Sequence, residues 1–138
     1  MIVTRQIRLQ THGNNDVHDL TPEVARHVAE SGVRSGVVTV FVTGSTAGVT
    51  TVEYEPALVG DLREFLDQLV PAQRPYRHNQ TWGDANAHSH LRSSLIGTSL
   101  TVPFDNGRLL LGTWQQIVLV DFDVRPRSRE VVLQIVGE

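Results

Sequence analysis

From Thr98 onward the chain leaves itself little choice but an antiparallel meander. Four runs of β-branched and apolar residues, Thr98–Val102, Arg108–Leu111, Gln115–Val124 and Glu130–Val136, are separated by turn-forming segments at Phe104–Gly107 and Arg125–Ser128. The Asn106-Gly107 pair is the sharpest of these signals. Both residue types accept the positive φ of a tight hairpin turn, and apolar runs flank the pair on each side. Strands joined by so few residues pair antiparallel, because a parallel return needs a crossover of a dozen residues or more.

The first two thirds add strands and helices to that meander. Residues 2–10 alternate, with Val3, Arg5, Ile7 and Leu9 on one face and polar residues on the other. Ser35–Val42 reads as a buried strand, and Val49–Tyr54 as a second one beyond the small-residue loop Thr43–Gly48. Thr21-Pro22-Glu23 predicts a helix start, with Val24, Ala25, Val28 and Ala29 as its apolar stripe and Gly32 beyond its end. From Pro56, residues Leu58, Leu62, Phe65, Leu66 and Leu69 recur at helical spacing until Pro71. His88–Ile96 predicts a short helix stopped by Gly97. The expectation is one α+β domain over residues 1–138. Its largely antiparallel or mixed sheet is packed with two main helices and a short one.

Composition removes several classes of function. With no cysteine there are no disulfides, thiolate zinc sites or cysteine nucleophiles. A net charge of −3 offers no general attraction to nucleic acid or membrane, so any anion site has to be local. The opening MIVTRQIRLQ lacks the apolar run of a secretory signal, and no stretch has the ~20 apolar residues of a membrane span, so the cytoplasm is the expected compartment. P-loop, dinucleotide-binding, nucleophile-elbow and His-Glu-x-x-His patterns are all absent.

The chemistry concentrates in Tyr76–Leu100, which holds His78, His88 and His90 with Asp84 and Asn86 between them. Neutral imidazoles from neighbouring turns suit zinc or another borderline metal, or a proton relay; a divalent ion, zinc or magnesium, is the expected cofactor. His88 and His90 share a face only if the segment is extended there; in a helix, residues two apart diverge. The competing reading is a capped helix whose histidines are surface residues. Glu53, near the end of its strand, is a candidate base or ligand, or simply the exposed member of an alternating strand. Asp84 or Glu53 could complete a metal shell.

Groups for an oxyanion lie elsewhere. Thr98 and Ser99 follow Gly97, and Gly112-Thr113-Trp114-Gln115 adds a hydroxyl, an indole donor and an amide. Trp114, between strands, is also a natural core residue. Arg125, Arg127 and Arg129 supply forks that match phosphate oxygens. Ser99, Thr98, Gln115, Asn86 and Arg127 are the expected phosphate-binding residues.

These segments carry a resemblance. Gly112-Thr113-Trp114-Gln115, Tyr76–Asn79 (YRHN), Asn86–Leu91 (NAHSHL), Leu95–Ser99 (LIGTS) and Val132–Glu138 (VLQIVGE) together resemble the YjbQ family, UPF0047. The resemblance implies an α+β fold, a homotrimer, and a secondary thiamine-phosphate synthase. That enzyme joins hydroxymethylpyrimidine diphosphate to thiazole phosphate and releases pyrophosphate. It also favours roles for His78, His88 and Glu53 in catalysis, with His78, His88 and His90 around a metal, and it places a family aspartate at Asp61. The chain departs from the pattern at Gly44, where the family reads histidine, and at Val52 and Tyr54, where it reads asparagine. Its terminal turn, Asp123–Arg129, is one residue longer than the family's.

Two other functions fit the same residues: a metal-dependent hydrolase of a small phosphorylated substrate, and a non-catalytic trimer that binds an anionic metabolite.

Overall fold

A computed structural model describes residues 1–138. In chain order its elements are β1 (Ile2–Thr11), β2 (Asp16–Asp19), α1 (Thr21–Glu30), β3 (Gly36–Val42), β4 (Ala47–Val52) and α2 (Pro56–Leu69). There follow α3 (Arg77–Trp82), α4 (Ala87–Ile96), β5 (Ser99–Asp105), β6 (Arg108–Leu109), β7 (Gln116–Asp121) and β8 (Arg127–Gly137). Every strand pair is antiparallel. A five-stranded sheet has the order β1-β8-β3-β5-β6, and a three-stranded sheet the order β2-β7-β4.

Side-chain alternation assembles the layers. In β8, Arg129, Val131, Leu133 and Ile135 are buried, while Glu130, Val132 and Gln134 between them are only partly covered. The buried set meets Val38, Val40 and Val42 of β3, and Ile117 and Leu119 of β7, in the larger core between the sheets. Val24 and Val28 of α1 join that core. The intervening β7 residues, Val118 and Val120, face the opposite way and pack with Val17, Phe122, Val59 and Leu66 beneath α2. β7 is thus buried on both faces, which is why its sequence is an unbroken apolar run.

The Asn106-Gly107 turn forms as expected, with φ of 50° and 72°, but β6 is only two residues long, and Leu110 and Leu111 lie in the following loop. Two elements were not anticipated: β2, whose four residues are too short and polar for a periodicity signal, and α3, inside the histidine segment. No helix is long and apolar enough to cross a membrane.

Two local devices bring α4 against the sheet. Asn86, at its N-cap, makes no side-chain cap; Asn79 of α3 accepts the Ala87 N–H at 3.0 Å instead. At the other end Gly48 permits a close approach, since a Cβ there would sit 2.8 Å from the Gly97 carbonyl oxygen. That carbonyl accepts the Val49 N–H at 3.0 Å and so docks the end of α4 onto β4.

Candidate functional site

The Asn79 cap seats α3 on the first turn of α4 and brings His78 to His90. Their ring centroids are 5.0 Å apart at 82°. His78 Nε2 donates to Asn86 Oδ1 at 3.1 Å, and His90 Nδ1 donates to the Ser45 carbonyl oxygen at 3.1 Å. Each acceptor can only accept, so the tautomers are fixed: in the neutral rings the lone pairs lie on His78 Nδ1 and His90 Nε2, neither of which has a protein partner. The pair is bordered by two recesses. One, of about 540 Å³, is lined by Tyr76, Arg77, His78, Ala87, His90 and Leu91. The other, of about 410 Å³, is lined by His90, Gly44, Ser45, Ser93, Ser94, Gly97 and Thr98, without a single apolar side chain.

His88 does not join them. α4 already includes Ala87, so His88 and His90 are separated by roughly 200° around the helix axis. His88 is buried at 5 % exposure, and its Nδ1 is sealed from solvent without a partner, as is Ser89 Oγ. Burial pushes the imidazole below its ordinary pKa, the nearby Arg92 charge pushes it the same way, and Asp67 and Asp123 oppose them. The expected three-histidine cluster is therefore a pair. No group of three or more His, Asp or Glu side chains is gathered where one ion could be held. Two imidazoles do not make the three- or four-ligand shell of a resident zinc.

The other expected residues fall into separate places. Thr98 lines the hydroxyl recess. Ser99 and Gln115 do line one cleft together, about 300 Å³ between β4 and β5, with Thr51, Val102, Leu110 and Leu111 among its walls. Gln115 is held there by the Gly112 N–H at 3.0 Å and by donating to Thr51 Oγ1 at 3.4 Å. Glu53 lies elsewhere, in a cleft with Asp19, Tyr54, Thr113 and Trp114. Neighbouring Glu55 is occupied as the N-cap of α2. Trp114 is 71 % exposed and is not core. Asp84 and Asp61 are exposed and line none of these cavities. Asn86 is buried and serves His78.

Arg127 is tied to Asp123, Nε to Oδ2 at 2.7 Å, and lines none of these recesses. Burial alone would raise the Asp123 pKa, but hydrogen bonds from Arg127, the Val124 N–H and Thr46 outweigh it and hold the carboxylate below its usual value. Arg129, two residues on, is buried beside Asp121. A second buried cation, Arg92, was not foreseen. It donates twice to the carbonyl of Val70, at the C-terminus of α2, and once to Asn15 Oδ1, with Asp67 at 3.2 Å. There it meets the negative end of the helix dipole, a structural role. A partly polar helix such as α4 gives no sequence signal that Arg92 and Ser93 point inward.

Comparison with known proteins places these features in context. The family model for UPF0047, YjbQ-like proteins, matches residues 5–138. A UPF0047 protein of Archaeoglobus fulgidus is 36% identical over 94% of this chain and 98% of its own length. The UPF0047 protein YjbQ of Escherichia coli O157:H7 is 31% identical over 88% of each chain. The crystal structure of a YbjQ-like protein of unknown function from Sulfolobus solfataricus P2 superposes with a TM-score of 0.95 at 31% identity, covering 100% of this chain and 99% of that one. A hypothetical protein of Aeropyrum pernix K1 superposes at 0.92 with 38% identity, covering 99% of each chain.

Proposed function

Since this chain belongs to the UPF0047 family of YjbQ-like proteins, we propose that it handles a phosphorylated small molecule at the His78–His90 pair, as a secondary thiamine-phosphate synthase. The observation that carries the reading is the pair itself: two imidazoles 5.0 Å apart, each with one nitrogen anchored and the other free, beside a recess of hydroxyls. In this reaction the thiazole nitrogen attacks the pyrimidine methylene carbon, and the carbon–oxygen bond to the diphosphate breaks with its electron pair. The nitrogen carries no proton, so no strong base is required. Catalysis consists of stabilising charge as it grows on the leaving diphosphate.

His90, in its imidazolium form, donates from Nε2 to that oxyanion while Ser45, Ser94 and Thr98 offer hydroxyls. His78 positions its neighbour through the edge-to-face contact. The Ser99–Gln115 cleft, with hydroxyls and apolar walls together, suits a heterocycle, and Gly97 and Thr98, next to Ser99 in the chain, line the diphosphate recess. A divalent ion belongs, in this reading, to the diphosphate as its counter-ion, and no step is assigned to it. The large side chains left exposed on one chain, Phe65, Leu69, Trp82, Leu91 and Leu95, support self-association in which neighbouring subunits cover them; three copies is the number that the family resemblance implies.

The test is to incubate the protein with both precursors and magnesium and to measure thiamine phosphate. A rate about 100-fold lower in His90→Ala is expected, the lower end of what a positioned acid contributes. Binding of either precursor without turnover would replace the enzyme with a metabolite-binding protein.

A further inference from the structure

Arg129 is 7 % exposed, and three donor contacts account for most of its guanidinium. Nε reaches Asp121 Oδ2 at 2.6 Å, and Nη2 reaches Asp121 Oδ1 at 2.9 Å and Thr46 Oγ1 at 2.7 Å. Nη1 makes none. Nor is it shut away: the only side-chain polar atoms both sealed from solvent and unpartnered are His88 Nδ1 and Ser89 Oγ. What lies over Nη1 is Gly44. A Cβ built on Gly44 would stand 2.8 Å from it, and Gly44 has φ of 150°, a conformation that side-chain-bearing residues rarely adopt. Gly44 in turn lines the hydroxyl recess beside Ser45, His90 and Thr98, and Arg129 stands behind Gly44 rather than among the lining residues.

We infer that Arg129 Nη1, reached across Gly44, is an oxyanion-binding group of that recess, and that its ligand is a phosphoryl group. Glycine at 44 leaves open the space that any side chain would close. Asp121 engages the opposite edge of the guanidinium and, with Arg127 neutralising Asp123, fixes its plane without occupying Nη1. A fork so held loses little freedom when it binds, and its N–H groups match phosphate oxygens. Arg129 therefore takes the part expected of Arg127. The anion's identity rests on the phosphate reading above, but the contact does not. A protein that binds pyrophosphate through Arg129 yet makes no thiamine phosphate keeps this inference and loses that one.

The experiment titrates inorganic phosphate and pyrophosphate into the full-length protein, by calorimetry and by guanidinium ¹⁵N NMR. In the wild type, saturable movement of the Arg129 Nη resonances with the calorimetric Kd is expected for at least one of the two ions. Gly44→Ala should weaken that ion at least about tenfold while keeping its circular dichroism spectrum, as loss of a charge-assisted hydrogen bond requires. Arg129 resonances that stay still while either ion saturates the protein, or a folded Gly44→Ala variant that binds both ions as the wild type does, would overturn the inference, as would no binding of either ion. If Gly44→Ala fails to fold, the wild-type NMR titration decides alone.

Discussion

Asp121→Asn tests the electrostatic frame that holds Arg129. The Asp121 carboxylate is 0 % exposed and fully engaged. Oδ2 accepts Thr11 Oγ1 and Arg129 Nε, both at 2.6 Å; Oδ1 accepts Arg129 Nη2 at 2.9 Å and the Asp123 N–H at 3.0 Å. The asparagine is isosteric, so packing is preserved. It removes the charge, however, and turns an amide NH₂ toward groups that are themselves donors. Arg129 is left buried with only Asp123 as a distant counter-charge, 3.8 Å from Nη2. Breaking a buried ion pair on one side costs about 3–5 kcal/mol. For a chain of this length that corresponds to a fall in Tm of about 10–17 °C. Thermal unfolding followed by circular dichroism, with a urea titration to confirm that m is unchanged, measures it. The paired control is Asp121→Leu with Arg129→Met, which removes both charges; it should recover most of the loss, because desolvation of the pair then disappears with its attraction. A shift under about 3 °C for Asp121→Asn, or a double variant no better than the single one, would refute the view that uncompensated charge, not lost packing, dominates here.

His88→Leu should stabilise the protein by about 1 kcal/mol, roughly 3 °C, by removing a sealed and unpartnered ring nitrogen, and calorimetry at pH 8 checks it. Because the folded-state pKa of His88 lies below 6.5, the unfolded chain binds the extra proton, so the wild type loses stability as pH falls below about 6.5. The variant should lose less over that window, and a destabilised His88→Leu would mean that an internal water satisfies the ring. Phe65→Arg combined with Leu69→Arg, on the exposed flank of α2, should convert the proposed homotrimer to monomer in size-exclusion chromatography with light scattering. A wild type that is already monomeric at micromolar concentration, or an unchanged mass, refutes the covered-face reading.

The fold was legible wherever one face of an element is buried and the other is not. Alternation in Glu130–Val136, the continuous run of β7 and the Asn106-Gly107 turn each had one physical solution. α2 was legible as a helix, but its apolar stripe overstated burial: of the five stripe residues only Leu66 is buried, Leu58 and Leu62 are partly covered, and Phe65 and Leu69 are exposed, while the helix's other buried residue, Val59, lies outside the stripe. Periodicity identifies a helix face but does not say which molecule covers it.

The site was legible only as composition. The histidine segment stands out by composition, yet which rings meet depends on where α4 begins, and that is set by Asn79, eight residues before Ala87, acting as a borrowed cap. Had Asn86 capped the helix itself, α3 would have no anchor on its first turn and His78 no fixed place. The arginine that packs behind Gly44 was undecidable in the same way. Arg125, Arg127 and Arg129 are equivalent in a turn of unknown shape. They become distinct only when β8 pairs with β1 and β3 and its inward phase falls on Arg129, with Val131, Leu133 and Ile135. A one-residue slip would turn Arg129 out to solvent and leave Gly44 with nothing beneath it. Which arginine lies behind Gly44 is thus set by strand register.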